Sequence, residues 1–207
     1  LTTYTNEQLV EALHSPNRWL RQQVQRVIGD RKDHRMLGSL ESLLHQERGQ
    51  IALEALWAIH LLDQLNDKNS KAALQHQDPF VRMWGVRLLG DKKIVNDRET
   101  ELLLQLATTE QHPEVRSQLV ATAKRIQNDV AFTIVRNLLL SNQDHLDPDI
   151  PLQTWWTIEA HLLENIAAFK QLWQDQRLWN NELFLQTITK NVSRRLVLGC
   201  SKQELSL

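Results

Sequence analysis

The chain has 207 residues, 42% of them hydrophobic and 24% charged, with 24 Lys and Arg against 25 Asp and Glu. That balance is ordinary for a globular chain, and near-neutrality argues against a phosphate-tracking basic groove, so no nucleic-acid partner is expected. The single cysteine, Cys200, excludes an internal disulfide framework and a Cys-rich metal knuckle, and no stretch nears the ~18 uninterrupted apolar residues of a membrane span.

Thr5 and Gln8 stand at capping-box spacing and open a short helix that turns Leu9, Val10 and Leu13 inward. Ser15 is expected to cap a second helix with Pro16 at its first position, where the missing N–H costs nothing. Trp19, Leu20, Val24, Val27 and Ile28 then recur at three- and four-residue steps as one apolar stripe, and Gly29-Asp30 ends it. The basic residues Arg18, Arg21, Arg26, Arg31 and Lys32 around this stripe read as a solvated face.

A second helix pair is expected over residues 36–44 and 49–62, where Ala52, Ala55 and Ala58 let neighbours approach closely. A third has a short first helix over 70–75. Asp78 and Pro79 then form the cap and first-turn pair of a helix carrying Val81, Trp84, Gly85, Leu88 and Leu89 inward. The fourth pair starts near Asp97, turns at Gln111-His112-Pro113, and carries Val115, Leu119, Thr122, Ala123 and Ile126 on its second helix. The fifth uses residues 130–140, an acidic turn over 144–149, and a helix with Leu152, Trp155, Trp156, Ile158, Leu162 and Leu163. Asp147 and Asp149 read as caps of that helix, not as an acid–base pair.

One phrase returns along this series: Ser15-Pro16-Asn17-Arg18-Trp19-Leu20-Arg21, Asp78-Pro79-Phe80-Val81-Arg82, His112-Pro113-Glu114-Val115-Arg116, and Asp147-Pro148-Asp149-Ile150-Pro151-Leu152. Pro113 follows Pro79 by 34 residues and Pro148 follows Pro113 by 35, while Pro16 lies about two such periods before Pro79. Helical periodicity repeating in the mid-thirties implies an all-α solenoid of helix pairs, with about five units over residues 1–164. Residues 165–207 lose the phrase and read as atypical capping helices and a tail, the tail spanning 198–207. Arg21, Arg82 and Arg116 recur with the fold, so they read as structural inter-repeat staples to a carboxylate such as Asp78 and not as an anion-binding stripe. A first-turn arginine opposes the helix macrodipole unless it is so paired.

The Asp-Pro-x-Val-Arg phrase in a two-helix unit resembles the HEAT repeat. Residues 16–26, the run Ala55-Leu56-Trp57-Ala58-Ile59-His60, and Asp147-Pro148-Asp149-Ile150-Pro151-Leu152-Gln153-Thr154-Trp155-Trp156 are similar to a HEAT segment of large exported bacterial proteins. These are the membrane-bound dehydrogenases of the Planctomycetes–Verrucomicrobia type. The resemblance covers about residues 10–165. It implies a right-handed superhelix, a place in the cell envelope or periplasm, and a fragment lying between a propeller and a c-type cytochrome domain. The starting residue, Leu1, and the lack of a signal-peptide pattern fit a piece of a longer polypeptide.

Haem c and a quinone-type cofactor would belong to those other domains. Cys200 is followed by Ser201-Lys202-Gln203-Glu204, so no Cys-x-x-Cys-His is present and no cofactor is expected in these residues. His-Glu-x-x-His, a phosphate loop, a nucleophile elbow and a dinucleotide fingerprint are also absent. The His161 and Glu164 pair is read as chance spacing, with no metal and no catalytic residue expected.

The expected function is therefore a non-catalytic scaffold whose partner is a protein or a neighbouring domain of the same polypeptide. Seven tryptophans against one tyrosine read first as fillers between stacked helices, and in second place as a row of aromatic anchors on second helices for a protein or a glycan. The contact residues named on that basis are Arg18, Trp19, Trp57, His60, Trp84 and Trp155. Two other readings are a HEAT-like alkyl-base DNA glycosylase and a bilin-lyase-like protein that handles a tetrapyrrole.

Overall fold

The computed structural model describes residues 1, 3–141 and 143–199, and every regular element among them is helical. Cys200 and the rest of the expected tail, 201–207, lie outside the described residues. Twelve α-helices follow one another: α1 Asn6–Ala12, α2 Arg18–Arg31, α3 Leu37–Gln46, α4 Gly49–Leu61, α5 Asp67–Leu74, α6 Pro79–Asp91, α7 Asp97–Thr109, α8 Pro113–Ala123, α9 Asn128–Ser141, α10 Ile150–Leu162, α11 Ile166–Gln174 and α12 Thr189–Gly199. The chain divides into two compact units, Leu1–Leu88 and Leu89–Leu207, with the division inside α6.

In the first unit α1 opens with the expected capping box, Gln8 N–H to Thr5 Oγ1 at 3.3 Å and Thr5 N–H to Gln8 Oε1 at 2.9 Å. The expected cap of α2 is corrected. Asn17, not Ser15, is the N-cap, its Oδ1 accepting from Trp19 N and Leu20 N, while Ser15 Oγ accepts from Asn17 N. Pro16 thus precedes the cap instead of opening the helix. Gly29 does not end α2 either. The helix runs on to Arg31 and stops at Lys32, which takes the left-handed conformation (φ 48°).

Asp78 does cap α6, through Phe80 N–H at 2.8 Å, and its second oxygen accepts from Gly49 N–H at 2.7 Å, tying the starts of α4 and α6. Helices α2 and α4 pack together, as do α3 and α4, and α3 and α5. Leu9, Val24, Ile28, Leu40, Leu44, Leu56 and Ile59 of this unit are all inaccessible to solvent. Burial of each such side chain contributes ~1.5–3 kcal/mol before chain entropy is set against it.

In the second unit α7 packs on α9, α8 on both α9 and α10, and α9 on α11. Second neighbours along the chain therefore touch as regularly as first neighbours, which is consistent with a helical repeat. Beyond α10 the chain makes α11, a 3₁₀ turn at Gln176–Asn180 and a π turn at Phe184–Ile188 that runs into α12. These close over one cluster with Phe132, Val135, Trp155 and Ile158, to which they add Phe169, Leu178, Phe184, Ile188 and Val192. Residues 165–199 thus share their core with α9 and α10, and helical backbone continues to Gly199 within the expected tail.

Two glycines give opposite expectations. A Cβ at Gly38 meets nothing within 4 Å, whereas one at Gly90 falls 2.6 Å from Cγ2 and 2.9 Å from Oγ1 of buried Thr122. Gly38→Ala is expected to stabilise by about 0.5–1 kcal/mol through helix propensity. Gly90→Ala is expected to lose about 1–3 kcal/mol through overpacking between α6 and α8. Urea unfolding of the two variants checks the pair, and equal signs would contradict it.

Candidate functional site

Three helices of the first unit present one stripe each to a common groove of about 620 Å³. From α2 come Arg18, Arg21, Gln22 and Gln25, spaced so that one helix face carries all four. From α4 come Gln50, Glu54, Trp57, His60 and Leu61, again at three- and four-residue steps, and α6 adds Trp84 and Leu88.

A polar network forms one side of the groove. Glu54 is only 4% exposed, and a buried carboxylate is tolerated only when paired and hydrogen-bonded. Its Oε1 accepts from Arg21 Nε at 2.8 Å and from Gln50 Nε2 at 2.7 Å. Its Oε2 accepts from Gln25 Nε2 at 2.8 Å, and the same amide also donates to the Glu54 carbonyl at 2.7 Å. The Arg21 and Glu54 charges therefore cancel within the wall.

Two half-buried rings form the other side. Trp57 and Trp84 meet edge to face with centroids 5.0 Å apart, a geometry the ring quadrupoles favour. The Arg87 guanidinium lies over the Trp84 ring at 4.9 Å. Two polar atoms of groove residues are buried without a hydrogen-bond partner, Nε1 of Trp57 and Oε1 of Gln25. A buried group left so costs about 1–3 kcal/mol.

Of the six contact residues named from the sequence, Arg18, Trp57, His60 and Trp84 line this groove. Trp19 does not. It was expected in the inward stripe of α2, but it is 63% exposed in the first turn of that helix. Trp155 is corrected outright. It is only 7% exposed and packs in the core cluster of the second unit. Gln25, Gln50 and Glu54 were missed. The signal available was their register with Arg18 and Trp57 on the same helix faces.

The recurrent arginines share one geometry. Arg21 donates from Nη1 to the Ser15 and Pro16 carbonyls at 2.8 and 3.3 Å, Arg82 to those of His76 and Gln77 at 2.8 and 3.0 Å, and Arg116 to that of Gln111. Each ties the turn before its helix to that helix. Glu54 pairs with Arg21 and Asp144 with Arg116, each carboxylate coming from the next helix pair. Asp78, the carboxylate first suspected, is engaged as a cap instead.

Two further hollows, of about 580 and 500 Å³, each have a central carboxylate that is fully engaged by its neighbours. Asp175 accepts from Arg177 and Arg136, and Asp33 from Arg35 and Asn6. The Arg177 guanidinium holds the Asp175 carboxyl well below its ordinary value, and Arg35 does the same for Asp33. His161 Nε2 lies 3.0 Å from the Ala123 carbonyl and donates to it, so that nitrogen caps α8 and is not open to a metal. Among the described residues no three His, Cys, Asp or Glu side chains gather as a metal site, and no helix is long and apolar enough to cross a membrane. No family model matches the chain, and no curated protein and no solved structure matches it either.

Proposed function

We propose that the chain is a right-handed α-solenoid of HEAT-like helix pairs that acts as a non-catalytic interaction module, with the groove of α2, α4 and α6 as its docking surface. The observation that carries this reading is the convergence of Arg18, Trp57, His60 and Trp84, from three successive second helices, on one groove. A groove of about 620 Å³ with aromatic and apolar residues on one side and fixed polar groups on the other is suited to binding. Glu54 is held by three donors, which suits a wall better than acid–base work. The resemblance to the dehydrogenase HEAT segment supports a role in joining or docking redox domains in a bacterial cell envelope. The haem c and the quinone-type cofactor are assigned to those other domains.

Panning a displayed library of random octapeptides on the folded chain tests the docking surface. Enriched clones are expected to lose about tenfold or more in affinity on Trp84→Ala, checked for fold by circular dichroism, because aromatic anchors dominate such contacts. Failure to enrich any clone, or clones indifferent to Trp84, refutes the reading.

A further inference from the structure

We propose that the occupant of this groove is an acidic segment of a partner protein, offering a carboxylate beside an apolar or aromatic side chain. This rests on the groove being a docking surface and specifies what it takes. The groove's charges make the first argument. Glu54 is the one acid in its lining, and its charge is consumed by Arg21 and two glutamine amides.

Two exposed guanidiniums remain, Arg18 in the lining and Arg87 outside it, against the ring of the lining residue Trp84. Arg18 and Arg87 make no hydrogen bond or ion pair among the described residues, and Arg87 has only the face of Trp84. The chain as a whole carries a formal net charge of −1, so this cationic character is local and selects a partner by its own charge. Arginine forks suit carboxylates, and one already laid on an indole has less freedom to lose on binding.

The floor supplies the second half of the recognition. Trp57, Trp84, Leu61 and Leu88 line the same groove as Arg18 and offer it an apolar bed, and Arg87 touches that bed at Trp84. A purely ionic partner would leave that bed wet, and a purely apolar one would desolvate the guanidiniums without compensation. Trp57 also brings an indole N–H that lacks an acceptor. A nucleic-acid backbone is disfavoured, because two unpaired cations fall short of the row of phosphate contacts that such binding needs.

Octapeptide panning decides the sign. Clones enriched on the wild-type chain are expected to carry Asp or Glu next to an aromatic or aliphatic residue. Arg18→Glu and Arg87→Glu, both at exposed positions, are expected to weaken those clones about tenfold or more and to favour basic clones. Raising the salt should weaken the wild-type complex. Enriched clones that need Trp84 but carry no acid, or that bind the charge-reversed variants equally well, overturn the acidic occupant and leave the docking surface standing. Tighter binding of a duplex oligonucleotide than of the acidic clones also overturns it. A library that yields no Trp84-dependent clone removes the docking surface and this inference together.

Discussion

Replacing Asp144 with alanine is expected to destabilise the second unit by about 3–5 kcal/mol. The reason is the partner left behind. The Arg116 side chain is 6% exposed and that of Asp144 4%. One carboxylate oxygen accepts from Nε at 2.7 Å and Nη2 at 2.6 Å, while Nη1 is spent on the Gln111 carbonyl and Gln143 Oε1. Removing the acid strands a guanidinium that cannot be neutralised and has little water to turn to.

The double variant Arg116→Met/Asp144→Leu removes both charges, and most of the stability is expected to return, because apolar replacements of a buried pair are often neutral or better. Urea unfolding of the single and double variants separates these outcomes. A single variant within about 1 kcal/mol of wild type would show that the pair is solvated. Loss of the exposed Lys32–Asp63 pair makes the comparison, with an expected effect below about 1 kcal/mol.

The same pair gives a pH signature. Burial pushes the Asp144 carboxyl above its ordinary value, against the pull of Arg116. A carboxyl raised in the folded state contributes stability that is fully present below its unfolded pKa and is lost as pH rises through the folded one. Asp175 behaves oppositely. Held low by Arg177, it contributes above its unfolded pKa and loses that contribution as pH falls through the folded one. In acid titrations the double variant is therefore expected to lose stability more steeply than wild type, because the opposing contribution of Asp144 is gone.

Local signals made the helices legible and left their partners illegible. Pro79 and Pro113 stand at the first positions of α6 and α8, as the returning phrase requires. The Thr5 capping box is likewise a four-residue property. Ser15 and Asn17 are both good caps two residues apart, and only the docked position of α2 decides between them. Arg21 and Arg116 announce a carboxylate by sitting in a first turn, yet Glu54 and Asp144 lie 33 and 28 residues further on. That distance is set by how helix pairs stack, which no local pattern encodes. Glu54 in a helix interior reads as solvent-facing until α2 is laid against it. The groove was half legible, because aromatic residues in a tyrosine-poor chain stand out and glutamines do not. Trp155 misleads for the same reason, since an indole in a second helix serves a core or a surface equally well.

Phe184→Ala is expected to cost about 3–5 kcal/mol, with the greatest loss of order in the closing helices. Phe184 is fully buried, its ring centroid 5.6 Å from that of Trp173 and 5.5 Å from that of Trp179. It opens the π turn, whose extra residue per turn shifts the helix register so that both Phe184 and Ile188 reach the shared core. Its backbone N–H donates to Asn181 Oδ1 at 2.7 Å, and Asn181 in turn donates to the Leu139 carbonyl at 2.6 Å, fixing the segment to α9. Truncation leaves a cavity bounded by large rings and held open by those hydrogen bonds, so collapse recovers little. Hydrogen exchange is expected to quicken most in α11 and α12, whose core contacts with α9 and α10 run through this cluster. A cost under about 1 kcal/mol, or exchange that quickens no more in α11 and α12 than in α7 and α8, would mean that residues 165–199 do not depend on this ring to stay docked on α9 and α10.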